Sequence, residues 1–160
     1  MRRLTLPLGM LLLLAVPALA DKKDDFKKAA SVNGASCDLI PYSSLNSSCR
    51  DAYSQQRDWC TGDRERGCAD LKQSDEKDRD IAKERLENAK QCIDKRKYVM
   101  SKFEDASSQL SSESDSDPEI RELAKTIKDK IDQSIEDHKK ALQEVENRRE
   151  KCDRVYNGRD

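Results

Sequence analysis

The residues of this chain best suited to chemistry are its cysteines and its single histidine. The chain has 160 residues, and six of them are cysteine. The cysteines are Cys37, Cys49, Cys60, Cys68, Cys92 and Cys152. An even number of cysteines in a small exported chain predicts three disulfides. A zinc site is the weaker alternative, because the sequence holds no Cys-x-x-Cys pair and only one His.

His138 falls between Ile135 and Leu142 in an apolar helical pattern. This position is more typical of a polar core residue than of a catalytic base or a pH sensor. The carboxylates alternate with Lys and Arg, as they do on solvated helix faces. The sequence contains no nucleophile elbow, zinc-protease motif or glycine-rich phosphate loop. We therefore expect a protein that is not an enzyme and uses no cofactor or metal ion.

The first 20 residues differ from the rest and predict a secretory signal peptide. Two arginines precede the apolar run 4–16, and Ala18 and Ala20 occupy the −3 and −1 positions of a cleavage site. The apolar run is shorter than the roughly 20 residues that a membrane-spanning helix needs. We expect cleavage after Ala20, no membrane span, and one mature domain, 21–160, that is periplasmic or secreted.

Charged residues are abundant in the chain, and large apolar residues are scarce. There are 31 Lys and Arg against 32 Asp and Glu, for a net charge of −1. Only 20 of the 140 residues after Ala20 are Leu, Ile, Val or Phe, and folded domains usually contain a larger share, about 20% or more. This composition excludes a large α/β enzyme, a β-sandwich and a membrane-spanning bundle. It leaves a disordered chain or long helices that each bury one narrow apolar stripe.

Two long helices are predicted in the second half of the chain. A glycine-free stretch of 90 residues contains a single proline, Pro118, which suits the first turn of a helix that Asp117 would cap. Apolar residues recur there at steps of three and four. We expect helices over about 68–110 and 118–156. Residues 72–80 contain no apolar side chain and are the part most prone to fray.

A polar turn, 107–117, would join these helices as an antiparallel hairpin. A shorter third helix is expected over about 44–61, and residues 24–33 could add a helical turn or two. The predicted fold is all-α: an elongated antiparallel helical hairpin with a third, shorter helix, stapled by disulfides. The seam Ile127–Val145 has the spacing of a coiled coil.

The register of straight antiparallel helices predicts which cysteines pair. Helices rise about 1.5 Å per residue, so facing residues of antiparallel neighbours have a constant sum of residue numbers. Turns near residues 64 and 114 then fix which cysteines lie level with each other. The predicted pairs are Cys37–Cys92, Cys49–Cys152 and Cys60–Cys68.

Protein recognition is the function that the sequence favours. The basic clusters are short and surrounded by acids, which disfavours nucleic acid. The chain also has too few apolar residues to line a ligand cavity and build a core. Aromatic residues and arginines, which are typical of interface hot spots, gather in the Cys-rich N-terminal third, although packing around the disulfides is the alternative role for the aromatics. The candidate partner-binding residues are Tyr53, Arg57, Trp59, Arg64 and Arg66.

We expect a module of inhibitor or immunity type that occludes another exported protein. Its preferred contact element is the loop 61–67, which Cys60 and Cys68 flank. The alternative is a coiled-coil structural, chaperone or envelope-assembly protein. Such a protein would form homo-oligomers through the Ile127–Val145 seam.

Overall fold

The computed structural model describes residues 16–61 and 66–158, with side chains from residue 21 onward. Most of the predicted signal peptide, residues 1–15, lies outside the described residues. The described chain forms four α-helices and a short 3₁₀ turn. They are α1 (Val16–Ser31), the 3₁₀ turn (Cys37–Leu39), α2 (Ser43–Trp59), α3 (Glu76–Ser111) and α4 (Pro118–Asn157). The predicted all-α, disulfide-stapled fold is confirmed.

Helices α3 and α4 form the predicted antiparallel hairpin. The carboxylate of Asp117 caps α4 by accepting a hydrogen bond of 2.8 Å from the backbone N–H of Glu119, and Pro118 occupies the first turn. Gly158 ends the helix in the left-handed conformation, with φ 68°. Across the pair, the Ser107 hydroxyl donates to the Asp132 carboxylate at 2.7 Å. The local sequence therefore sets both ends of α4.

The core follows the hairpin as three separate clusters of buried side chains. The largest lies near the α3–α4 turn, where α1 and α2 also pack, and it includes Phe26, Phe103 and Ile127. The second surrounds the Cys60–Cys92 disulfide, and the third surrounds the Cys68–Cys152 disulfide. The second and third clusters are small, and no single apolar core joins the whole length of the described helices.

The predicted seam on α4 lies inside the chain. Ile127 and Ile131 are fully buried in the largest cluster, and Val145 is buried in the second. These side chains pack against other helices of the same chain, so the seam is part of the core and not a free surface for a second copy.

Helix α1 is longer than the one or two turns expected from the sequence. Phe26 and Ala29 are buried in the largest cluster. The Lys130 ammonium donates to the carbonyls of Ala30 and Val32 at 2.5 and 2.8 Å, which satisfies acceptors that the end of a helix leaves open. The length of α1 was not predicted, because apolar residues are few in residues 21–31 and most of the residues around Phe26 are charged.

Helix α3 begins eight residues later than predicted, at Glu76. The carboxylate of Asp75 caps it by accepting from the backbone N–H of Lys77 at 2.9 Å. Residues 66–75 form turns without a helix. The fray-prone segment 72–80 therefore contains the start of α3. The later start changes the register of the preceding residues against α3 and α4.

All six cysteines are in disulfides, as predicted, but the predicted pairs Cys37–Cys92, Cys49–Cys152 and Cys60–Cys68 are wrong. The pairs are Cys37–Cys49, Cys60–Cys92 and Cys68–Cys152. The prediction assumed a tight turn near residue 64. Instead, α2 ends level with Cys92, about four turns into α3. In the described stretch 66–75, the Gly67 carbonyl lies beside Arg85 of α3, and Cys68 is bonded to Cys152, near the end of α4.

The predicted Cys37–Cys92 pair is wrong for a second reason. It does not extend the line of α2, because the 3₁₀ turn and the bend at Pro41 fold it back against that helix. The Asn46 side-chain amide donates to the carbonyls of Cys37 and Ile40 at 2.7 and 3.3 Å and holds the bend. Cys37 therefore meets Cys49, only 12 residues away.

Candidate protein-binding surface

A groove of about 630 Å³ lies between α2 and the segment that precedes it. Residues 35–38 form one wall, and Arg50, Tyr53, Ser54 and Arg57 of α2 form the other. Cys60 and Thr61 line its end. We call this feature the α2 groove. Its volume lies within the usual range of ligand sites, about 300–1,000 Å³.

Two disulfides fix the walls of the α2 groove. Cys37, in the first wall, is bonded to Cys49 of α2. Cys60, at the end of the groove, is bonded to Cys92 of α3. The Thr61 hydroxyl donates to the Arg57 carbonyl at 2.7 Å and extends the last turn of the helix. One disulfide therefore joins the two walls of the groove, and the other joins the end of the groove to the hairpin.

The charged residues in the described lining of the groove are two arginines and one aspartate. The Arg50 guanidinium donates to the Asp38 carboxylate at 2.5 Å across the groove. The Ser36 hydroxyl accepts from the backbone N–H of Asp38 at 3.2 Å and so caps the 3₁₀ turn. Arg57 is exposed, and it has no ion pair with any residue in 16–61 or 66–158. Among the described lining residues, Arg57 is the charge that no described ion pair offsets.

Tyr53 joins the α2 groove to the interior. Its hydroxyl lies 2.7 Å from Nε2 of His138, and its ring meets the Phe103 ring edge to face at 6.3 Å. His138 is only 8% exposed. The side chains of Tyr53, Phe103 and His138 therefore link α2, α3 and α4. The burial of His138 agrees with its interpretation as a polar core residue.

Burial changes the ionisation of both Tyr53 and His138. It raises the pKa of Tyr53 to about 12, with the positive Arg96 acting in the opposite direction. Burial also lowers the pKa of His138, and Arg96 adds to that effect while Asp137 opposes it. Both groups are therefore neutral near pH 7, and the hydrogen bond joins two uncharged side chains.

The five predicted contact residues do not form one surface. Tyr53 and Arg57 line the α2 groove. Trp59 is half-buried and packs with Leu142 on the cluster around the Cys60–Cys92 disulfide, so its role is at least in part structural. Arg66 is exposed and is not among the described lining residues of the groove, and Arg64 lies outside the described residues.

Sequence reasoning missed the opposite wall, and it did not select Arg50 from the arginines of the N-terminal third as a contact residue. A spacing of seven residues puts Arg50 and Arg57 on one side of α2, and this signal was present in the sequence. Asp38 gave no such signal, because its place opposite Arg50 depends on the 3₁₀ turn and on the Cys37–Cys49 pairing.

In the described part of the chain, no group of three or more His, Cys, Asp or Glu is placed to hold a metal ion. None of the described helices is both long and apolar enough to cross a membrane. No protein-family model, curated protein or solved structure matches this chain.

Proposed function

We propose that this chain is an exported, non-enzymatic protein that binds and occludes another exported protein, in the manner of an inhibitor or immunity protein. The observation that carries the proposal is the α2 groove, which is open to solvent, charged, and held by two disulfides. The surface is built from a helix and a short turn that cannot move apart.

The rigidity of this surface favours binding. Ordering side chains and loops on association costs free energy, and a surface that is already fixed avoids much of that cost. Arg57 and Tyr53 lie on adjoining turns of α2, and arginine and tyrosine are among the residue types most frequent in interface hot spots. The α2 groove therefore replaces the loop 61–67 as the main contact element in this proposal.

Export is supported by the cysteines and the N-terminal sequence. Three disulfides involve all six thiols, and such bonds persist in oxidising compartments such as the periplasm. The charged and then apolar start of the sequence, with Ala18 and Ala20 before the expected cleavage point, fits a signal peptide. We place the mature protein, 21–160, in the periplasm or outside the cell.

A non-enzymatic role is supported by the placement of the single histidine. A general base must reach the proton that it removes. His138 is buried, and its Nε2 is already bonded to the Tyr53 hydroxyl. The cysteines are all oxidised and supply no thiol nucleophile.

The proposal is tested by capture and then by reconstitution. Oxidised mature protein is immobilised and exposed to the exported proteins of its own source, and any captured protein is then purified and mixed with it. We expect a stoichiometric complex on gel filtration and loss of the partner's activity. Failure of every exported protein to form such a complex would refute the proposal. The coiled-coil alternative predicts instead assemblies of this chain alone, which light scattering over a range of concentrations detects.

A further inference from the structure

We propose that the α2 groove takes an extended segment of the partner that carries one acidic side chain, and that the carboxylate of this side chain pairs with Arg57. This inference rests on the proposed function and specifies its contact. The partner's segment would carry one carboxylate, and its neighbouring residues would lie along α2.

The charges of the α2 groove set the number of carboxylates. Among its described lining residues only Arg50, Arg57 and Asp38 are charged, and Arg50 is already offset by Asp38 at 2.5 Å. Arg57 remains, exposed and without a described acidic partner. One added carboxylate neutralises the net charge of the described lining, whereas a second would be repelled by Asp38. Arginine is suited to this role because its guanidinium can bind a carboxylate through two parallel hydrogen bonds.

The dimensions of the α2 groove suit a short extended segment. Arg50 and Arg57 are seven residues apart, which is about 10 Å along a helix and close to the length of three extended residues. The exposed Ser54 lies between them on the same wall, and its hydroxyl can hydrogen-bond the backbone of the segment. The half-buried Tyr53 ring gives the segment an apolar contact.

The surroundings of the α2 groove disfavour a nucleic acid. Asp51 and Asp58 directly follow the two arginines on α2, and both lie on the solvent side of the helix. A chain of phosphates would bring several negative charges close to these carboxylates and to Asp38. Binding to a phosphate backbone needs several uncompensated cations, and the described groove lining has one.

The test uses two matched probes and three variants of the oxidised mature protein. The probes are acetylated and amidated pentapeptides, Ala-Ser-Glu-Ser-Ala and Ala-Ser-Gln-Ser-Ala, titrated to millimolar concentration while backbone amide shifts are followed by NMR. The variants are Arg57→Glu, Arg57→Lys and the control Arg79→Glu. Arg79 is also an exposed arginine, near the start of α3 and outside the described lining of the α2 groove. Circular dichroism confirms that each variant is folded.

We expect the glutamate peptide to give saturable shifts at Ser36, Ser54 and Arg57, and the glutamine peptide to bind at least about ten-fold more weakly. Arg57→Glu should abolish the shifts, Arg57→Lys should retain part of the affinity, and Arg79→Glu should bind as the native protein does. Equal binding of the two peptides, shifts that map elsewhere, or no saturable shift would overturn the inference.

Failure of this inference is distinguishable from failure of the proposed function. If Arg57→Glu still forms the stoichiometric complex with a purified exported partner, the protein is a binding module but the α2 groove is not its acidic-segment site. If the native protein forms no such complex, the proposed function itself is refuted.

Discussion

The contact between Tyr53 and His138 fixes the position of α2 on the hairpin. It is a 2.7 Å hydrogen bond between the half-buried Tyr53 of α2 and the buried His138 of α4. The place of His138 in the core was predictable, because it falls at a helical step between Ile135 and Leu142. Its partner was not, since that contact depends on the register of α2 against α4, which no local pattern encodes.

Acidification should destabilise the protein through this histidine. Burial holds the folded-state pKa of His138 below its usual 6.5, so the unfolded chain binds a proton more readily than the folded chain. The free energy of unfolding should therefore decrease as pH falls below about 6.5, with a slope of at most about 1.4 kcal/mol per pH unit. Urea unfolding at pH 7 and pH 5 measures the effect.

His138→Gln is the control for this pH dependence. The chain has no other histidine, so this variant should lose the dependence between pH 7 and pH 5 whatever its absolute stability. A variant with the same slope as the native protein would show that another group carries the effect.

Removing the Tyr53 hydroxyl should weaken the fold. Tyr53→Phe keeps the ring against Phe103 but leaves Nε2 of His138 without the bond, which typically costs about 1–2 kcal/mol for a buried group. Tyr98→Phe is the matched control, because Tyr98 is 41% exposed; its stability should change by less than about 0.5 kcal/mol. Equal urea midpoints for the two variants would contradict the role given to Tyr53.

At the level of elements, α1 is attached to the hairpin by charge at one end. Lys22 pairs with Glu113 and Asp115 at 3.0 and 2.8 Å, and Lys23 contacts Asp117 and Glu119. Hydrogen bonds from Lys23 and Lys27 lower the pKa of Glu119. The sequence indicated a polar turn over 107–117, but its role as the binding site for α1 depends on tertiary contacts.

Reversing the charge of Lys23 should loosen α1. Lys23→Glu places a third negative charge beside Asp117 and Glu119, so the amides of α1 should exchange with solvent faster, by at least about five-fold, while those of α4 keep their rates. The double variant Lys23→Glu/Glu119→Lys should restore protection in part. Lys28→Glu, an exposed change in the same helix, is the control. Unchanged α1 exchange in Lys23→Glu would contradict the ion-pair attachment.

The start of α3 shows how far local sequence could predict the elements. The hairpin, its capped α4 and the third helix follow from apolar spacing, Asp117 and Pro118. Residues 68–75 also have a composition compatible with a helix, yet α3 begins only after the cap at Asp75. A helix start that is wrong by eight residues displaces a register by about 12 Å, which is enough to change the partners of Cys60 and Cys68. The Cys37–Cys49 pair depends in addition on the 3₁₀ turn before α2.

At the level of the whole molecule, the disulfides compensate for a thin core. The core is divided into three clusters, and the disulfides Cys60–Cys92 and Cys68–Cys152 lie within the two small ones. Each disulfide contributes about 2–4 kcal/mol, and more where it closes a long loop, as over the 84 residues between Cys68 and Cys152.

Reduction should therefore unfold much of this protein. Loss of three disulfides removes about as much free energy as the whole net stability of a typical domain, roughly 5–15 kcal/mol. We expect helicity measured by circular dichroism to collapse under mild thiol, and the thermal midpoint to fall far below that of the oxidised protein. Equal midpoints for the two forms would show that the apolar clusters suffice alone.

The disulfide pairs determine the α2 groove and the path of the chain beside α3, and tryptic peptides of the oxidised protein read them directly. Peptide 29–50 contains both Cys37 and Cys49 without an internal Lys or Arg. It should appear alone, lighter by two hydrogens, while 58–64 is linked to 91–95 and 67–72 is linked to 152–154. A link between 58–64 and 67–72, or any peptide attached to 29–50, would contradict the rigid groove on which the proposed binding depends.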